Sequence, residues 1–572
     1  MTGCGLANPK GDTPMGEKNK RKYGIETTKK AVEEKKQSAK GKGLTYRPYV
    51  EDVRTRLAKV EEDKERIKQP SSEKLFKRLR AANKMTGRER LEAFFDSGTF
   101  TEMSMFAESQ IKEMGMKDYP TPADGLISGF GEVEGRPVCA YATDYMVLAG
   151  STGEGHSIKM TNITRMACEM RVPIVTFLDS AGARLQEAIQ CLKIGIGSIM
   201  YQSFYSGVIP QLSIICGGCA AGQAYGPLLT DYLIMTRDNA DMWLGGPRAT
   251  AAVTGAEDIT DIGSAEYHMK YSGECHFIAD NDQDAIVLAK KLLRYLPSSC
   301  EEMPPALKPT DDPHRKEEKL LDILPKDPRR SYDMHKIIDL IVDNGEFMEV
   351  QEGFAKNGIV GFCRFDGQVC GIVAGNPSYL SGCMEPDVID KYTRFISFCD
   401  CFNIPLIYLV DMPALLVGDY WERRGIIRHG TKLLQTNVTA TVPRISIIVR
   451  KSYGGTVPIF SMKPYSTDYV YCWPTAELCT MGADGAVAIM YDRVMKDMSS
   501  EERLAFSEEK KKEYFDAYVD PLETGRNMRL DLFDDIIDPR CTREIIIKTL
   551  KLARRKKPVI SIPKRKHANR PE

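Results

Sequence analysis

No stretch of about 20 apolar residues occurs in the 572-residue sequence, so no membrane-spanning helix is expected. The opening run MTGCGLANPKGDTPMGEKNKRKYG lacks the apolar core of a signal peptide, which makes a cytoplasmic location the expectation. Net charge is missing too: 79 basic residues balance 79 acidic ones, leaving no one-signed field that would favour nucleic acid. The G-x-S-x-G elbow, the G-x4-G-K-[ST] phosphate loop, the H-E-x-x-H zinc pair and a complete G-x-G-x-x-G after a strand are all absent. Histidine is scarce, with seven in all, and His429 in GIIRHG reads as structural rather than as a general base. Backbone electrostatics must then carry much of any catalysis.

What is present is the composition of an ordinary globular protein, 42% hydrophobic and 28% charged, with length enough for a large core. Sixteen cysteines are spread through the chain, many inside apolar stretches such as those around Cys139, Cys168 and Cys370, and read as reduced, buried small side chains. The metal-binding alternatives are the CGGC pair Cys216/Cys219 and the group His268, Cys275 and His276. The first lacks a second cysteine pair and the second reads as a loop, so no metal is assigned.

Residues 1–72 form an expected extension. Its first 45 residues are rich in Lys, Gly and Ser and read as a flexible tail, and exposed, charged helices are expected between Val53 and Lys84. Prolines and charges in PPALKPTDDPHRKEEK, residues 304–319, separate two apolar-rich regions and set expected domains at 73–305 and 330–572.

These two regions repeat one another. RVPIVTFLD (171–179) has the form of NIPLIYLVD (403–411), with Pro173/Pro405 and Asp179/Asp411 at one offset. IPQLSIICGGCAAGQ (209–223) faces VPRISIIVRKSYGGT (442–456), each a strand running into small residues. ISGFGEVEGRPVCAYA (127–142) faces IVGFCRFDGQVCGIVA (359–374), each a hairpin turning at an acidic residue followed by glycine. Three matched segments in one order describe a duplicated α/β unit with mainly parallel sheets, whose ligands bind beyond the carboxyl ends of the strands.

Both glycine-rich turns lie there. In DSAGARLQE (179–187) small residues let a ligand approach the backbone, and a helix starting near Arg184 would put free N–H groups at its positive end. Tyr453-Gly454-Gly455-Thr456 supplies a second turn of the same kind. The two readings are tight packing corners or two oxyanion holes, and two holes suit a reaction with two carbonyls.

The same residues carry a resemblance to the carboxyltransferase (beta) subunits of the propionyl-CoA carboxylase and methylmalonyl-CoA decarboxylase family. It spans roughly residues 84–300 and 332–572, in runs including KMTGRERLEAFFDSGTF, DSAGARLQEA, GGPRATAAVTGAE, GIIRHGTKLL, TVPRISIIVRKSYGG, WPTAELCTMGADGAV and KRKHANRPE. The resemblance implies tandem crotonase-like (ClpP/crotonase) carboxyltransferase domains and a homohexamer, a trimer of dimers, in which unlike domains of two subunits face each other. It implies that Ala181 and Gly182 bind the acyl-CoA thioester oxygen, that Gly455 and Thr456 bind the ureido oxygen of biotin, and that Tyr453, Gly454 and Gly222 complete the ligand sites. CO2 would pass from carboxybiotin to the α-carbon of an acyl-CoA through an enolate, with biotin itself as the base.

Departures from the family pattern leave the acyl group open. Ala181 replaces a glycine, Pro458 replaces the usual acidic position that helps select acyl groups, and Ala414 and Val417 alter the loop beside the second turn. No E-A-M-K-M biotinylation sequence is present, since Met462-Lys463 is followed by Pro464, so biotin is expected on a separate carrier. A biotin carboxylase and biotin carboxyl carrier as partners would make the complex a carboxylase; a membrane pump would make it a decarboxylase running the reverse transfer.

Overall fold

The computed structural model describes residues 52–255, 262–327, 329–526 and 531–556, without the side chains of 191–195 and 248–249. The expected tail of residues 1–45, the run KRKHANRPE and the end of GGPRATAAVTGAE lie outside the described residues. Of residues 1–65 the described part is most of helix α1 (Val53–Lys68), which has no buried residue, in keeping with its charged sequence. The rest of the chain begins with α2 (Glu73–Ala81), capped by the Ser72 hydroxyl, and α3 (Gly87–Phe94), which opens on a capping box. That box is legible as T-x-x-E: Thr86 and Glu89 each satisfy the other's backbone N–H.

The first repeat builds a sheet from β1 (Thr101–Glu102), β2 (Leu126–Val133), β3 (Arg136–Thr143), β4 (Ile174–Ser180), β5 (Gln211–Ala220), β6 (Tyr232–Thr236), β7 (Asp241–Trp243) and β8 (Phe277–Ala279). Its order is β1-β2-β3-β4-β5-β6-β8, with β7 pairing β5. Helices α4 (Glu154–Met170), α5 (Ala188–Phe204), α6 (Gly222–Leu229) and α7 (Asp282–Leu293) accompany it.

The second repeat forms the same sheet from β9 (Met348–Val350), β10 (Gly358–Phe365), β11 (Gln368–Gly375), β12 (Leu406–Met412), β13 (Arg444–Tyr453), β14 (Tyr469–Cys472), β15 (Glu477–Cys479) and β16 (Asp535–Ile536). The order runs β9-β10-β11-β12-β13-β14-β16, with β15 pairing β13. Here α8 (Pro386–Cys401), α9 (Ile426–Thr439), α10 (Thr456–Phe460) and α11 (Thr542–Ala553) take the corresponding places. In both sheets the strands from the third onward pair in parallel, and the central β4 and β12 are buried on both faces, hence their continuous Val/Ile/Leu runs.

The expected hairpins are present. Glu134-Gly135 (φ 52° and 74°) and Asp366-Gly367 (φ 53° and 75°) both place two successive residues in the left-handed region, as a two-residue turn between twisted strands requires. One hydrophobic core crosses from repeat to repeat. Tyr232 and Phe277 of the first sheet, Phe362 of the second and Phe395 and Phe398 of α8 belong to it, and Tyr232 meets Phe362 and Phe398 edge to face. Arg394 of α8 fastens this junction by donating to the carbonyls of Thr230 and Asp231 at 2.9 and 2.8 Å. Two further cores cover the outer faces of the sheets.

Candidate active site

β4 and β5 end side by side, and the register between them shifts after Leu178 as β4 turns out of the sheet. The helix expected near Arg184 begins later: a 3-10 turn covers Leu185–Glu187 and α5 starts at Ala188. The reason is Arg184 itself, which is buried and ion-paired to Asp124 and Glu187 at 2.7 Å each while donating to the Ser151 carbonyl. Backbone bonds from Thr152 N–H to the Gly182 carbonyl and from Arg184 N–H to the Thr152 carbonyl, both 2.9 Å, fix the turn between these anchors.

The donors in this turn differ from the expected pair. Ala181 N–H is already engaged by the Ala149 carbonyl at 3.0 Å, so this exposed residue offers a methyl wall rather than a free donor. Gly182 N–H leans on the Ser180 hydroxyl at 3.2 Å, a contact that rotation of the hydroxyl releases. Its φ of 96° requires glycine, and a Cβ there would stand 3.3 Å from the Ala220 carbonyl oxygen, which places Gly182 against the end of β5.

Beyond β5, Ala221 takes φ 54°, ψ −123°, and donates to the Trp243 carbonyl, so that α6 opens with Gly222 on the surface. Among the described residues, and its own chain neighbours and helix backbone aside, nothing lies within 4 Å of where a Gly222 Cβ would be. As the first residues of a helix, Gly222 and Gln223 carry N–H groups outside the helical ladder. The Gln223 amide is tied to the Thr152 hydroxyl, linking the two turns.

The second repeat reproduces this corner. Gly454 has the φ of Ala221, 54°, and donates to the Cys479 carbonyl as Ala221 does to that of Trp243. Exposed Gly455 and buried Thr456 then open α10 with N–H groups outside the ladder. The Thr456 side chain is fully buried and its hydroxyl has no hydrogen-bond partner among the described residues. Tyr453 is anchored from behind by a bond from its phenol to the Glu477 carboxylate, and burial pushes that phenol's pKa far up. Pro458 is the third residue of α10, where a missing N–H breaks no helical bond. Ala414 holds the Met384 N–H at 2.8 Å in the loop that matches the Gly182 loop, and Val417 beyond it is exposed.

Below each turn lies a buried aspartate at the end of the preceding strand. Asp179 pairs with Lys84 at 2.5 Å, and Asp411 takes bonds from Arg450 and Tyr332, each at 2.9 Å; burial raises the Asp411 pKa against the pull of Arg450. The sequence shows both aspartates through their common offset, but their cations come from unrelated segments.

The remaining candidates do not assemble into a site. Cys216 lies in the core shared by the repeats and Cys219 in the outer core, on opposite faces of β5. His268 bonds Ser272 and the Met242 carbonyl, Cys275 bonds the Phe277 carbonyl, and His276 accepts from Leu233 N–H, so the three face different ways. Among the described residues no group of His, Cys, Asp and Glu could hold a metal ion. His429 is held by Asp390 at 2.7 Å, the carboxylate that also binds Lys432, which is a structural arrangement.

Residues 78–570 match the carboxyl transferase domain family. The chain belongs to that family. Among curated relatives it is 41% identical over 490 residues to the carboxyltransferase subunit of propionyl-CoA carboxylase from Haloferax mediterranei, covering 85% of this chain and 93% of the relative. It is 38% identical over 522 residues to the alpha subunit of methylmalonyl-CoA decarboxylase from Veillonella parvula, covering 91% and 99%. The crystal structure of the transcarboxylase 12S hexamer with hydrolysed methylmalonyl-coenzyme A bound aligns with a TM-score of 0.85 at 38% identity, covering 91% of this chain and 99% of that one. The two repeats are thus tandem crotonase-like domains of a carboxyltransferase, and their turns are the places to seek the carboxyl-transfer chemistry.

Proposed function

We propose that the chain is the carboxyltransferase subunit of a biotin-dependent acyl-CoA carboxylase. The observation that carries this reading is the repetition of one strand-to-helix corner, Ala221-Gly222-Gln223 and Gly454-Gly455-Thr456, with N–H groups left outside the helical ladder in both copies. The first repeat takes the acyl-CoA: Gly182 and Gly222 N–H groups, just beyond the ends of the adjacent strands β4 and β5, hold the thioester oxygen as it gains enolate charge, and the Ala181 methyl bounds the acyl group. In the second, Gly455 and Thr456 N–H groups fit the urea oxygen of biotin. Biotin, when bound, supplies the carboxyl group and the base that removes the α-proton. The chain's own part is to hold two carbonyl oxygens in place by preorganised dipoles, each donor contributing about 100-fold or more in kcat.

Biotin arrives on a carrier protein, a biotin carboxylase is the further partner, and the working assembly is a homohexamer like that named for the transcarboxylase core. The exposed apolar residues beside each turn, Leu185, Ile189 and Tyr225 in one repeat and Val417 and Ile427 in the other, suit burial against a second copy. The decarboxylase alternative rests on the similarly extensive likeness to the Veillonella subunit; one site lowers the barrier in both directions, and the partner decides which is used.

Purified protein with free biotin and a panel of acyl-CoA and malonyl-type CoA esters tests the reading. Carboxyl transfer between a CoA ester and biotin is expected; no reaction with any CoA ester would remove both alternatives. Gly182→Val, which places a branched side chain at φ 96° beside the Ala220 carbonyl, is expected to lower kcat by about 100-fold or more while the oligomer remains intact.

A further inference from the structure

The two corners share a backbone but differ in what stands over them. A parallel bridge joins Thr152 to Ala183 in the first repeat and Met384 to Leu415 in the second, so Ala183 and Leu415 occupy the same place. Beside Ala183, the Gly222 corner faces open space. Beside Leu415 it does not. A Cβ on Gly455 would come within 2.9 Å of Leu415 Cδ1, and a Cβ on Gly430, in the middle of α9, would come within 2.8 Å of Leu415 Cδ2.

The Leu415 side chain is therefore wedged between two glycines, half-buried against the core and half-open at the turn. Glycine in the middle of a helix costs about 0.5–1 kcal/mol relative to alanine, and Gly430 is accounted for by this seat. Nothing in α9 itself calls for it.

We propose that Leu415 is a specificity-determining residue: it narrows the second corner to a slot that seats a thin, planar cyclic urea against the Gly455 N–H, while Ala183 leaves the first corner wide enough for a branched acyl chain. The assignment rests on the proposed function for the identity of the two ligands. The geometry of the two corners adds which side chain makes two copies of one corner discriminate between them.

Two substitutions that change the slot in opposite ways test it. Leu415→Ala empties the slot. Gly430→Ala adds one methyl at 2.8 Å, pushing Leu415 toward the turn without touching the turn itself, and improves helix propensity. Steady-state kinetics of the full-length protein with free biotin and the CoA ester that the wild type uses give the KM for each. Each variant is expected to raise the KM for biotin about tenfold, the usual consequence of a misfitted apolar wall, and to leave the KM for the CoA ester within about twofold. A ratio of the two KM values that moves less than about threefold in every variant that folds overturns the assignment. Failure of the wild type to use free biotin with any CoA ester overturns the functional reading instead, so the two failures are distinct.

Discussion

Lys159 and Lys391 sit at one offset in the paired helices α4 and α8, and both are buried. Lys391 Nζ donates to the carbonyls of Gln351, Phe354 and Gly358, each at 2.9 Å, and Lys159 Nζ does the same for Ala123 and Leu126. Burial lowers the Lys159 pKa to about 8, so the carbonyls and nearby Glu102 and Asp124 are what keep it charged at neutral pH. Lys391→Met would take a donor from three buried carbonyls, of which that of Gln351 keeps the Phe354 N–H at 3.0 Å, at about 1–3 kcal/mol for each one left unpaired, and a lowered urea midpoint with little change in slope is expected. The sequence shows two lysines in register. It does not show their job, because the hollow they fill is made by loop backbones with positive φ, such as Ala123 at 52° and Ala355 at 42°. Gly222 was legible as part of a glycine-rich turn, and its equivalence to Gly455 follows from aligning the two strands. The engaged Ala181 N–H was not, since its acceptor, Ala149, lies in another loop.

Among whole elements, the connection into the second repeat carries a pH-sensitive contact. His335, at the start of the helix His335–Ile341, lies between Glu349 of β9 at 2.8 Å and Asp333 at 2.6 Å. The Glu349 bond, with burial opposing it and Asp333 adding to it, holds the imidazole pKa at about 9. Its folded-state pKa thus exceeds the unfolded value of about 6.5, so the stabilisation is fully present below pH ~6.5 and is lost as pH rises through about 9. Thermal melts between pH 6.5 and 10 are expected to show a declining midpoint that His335→Gln makes shallower. Elements governed by local chemistry, such as the Glu134-Gly135 and Asp366-Gly367 hairpins, were readable from the sequence. The start of α5 was not, because Glu187, which closes that turn, is held by its ion pair with Arg184, itself anchored to Asp124, rather than by any local propensity.

For the molecule as a whole, duplication was visible in three matched segments, but the fusion of two repeats around one core was not. The aromatic members at its junction, among them Tyr232, Phe277, Phe362, Phe395 and Phe398, are scattered over more than a hundred residues and carry no common period. Because Phe362 is fully buried at this junction, Phe362→Ala is expected to cost about 3–5 kcal/mol, and calorimetry of the variant should show the transition of both repeats moving down together. Two separated transitions, with only the second displaced, would show that the repeats fold independently. The shared core also bears on how such a gene can be divided. A break placed between residues 304 and 330 would cut no strand of either sheet, yet each product would carry half of an aromatic face with nothing to hide it. Such halves would need to be made together, so that what began as two copies of one unit now persists as a single inheritance.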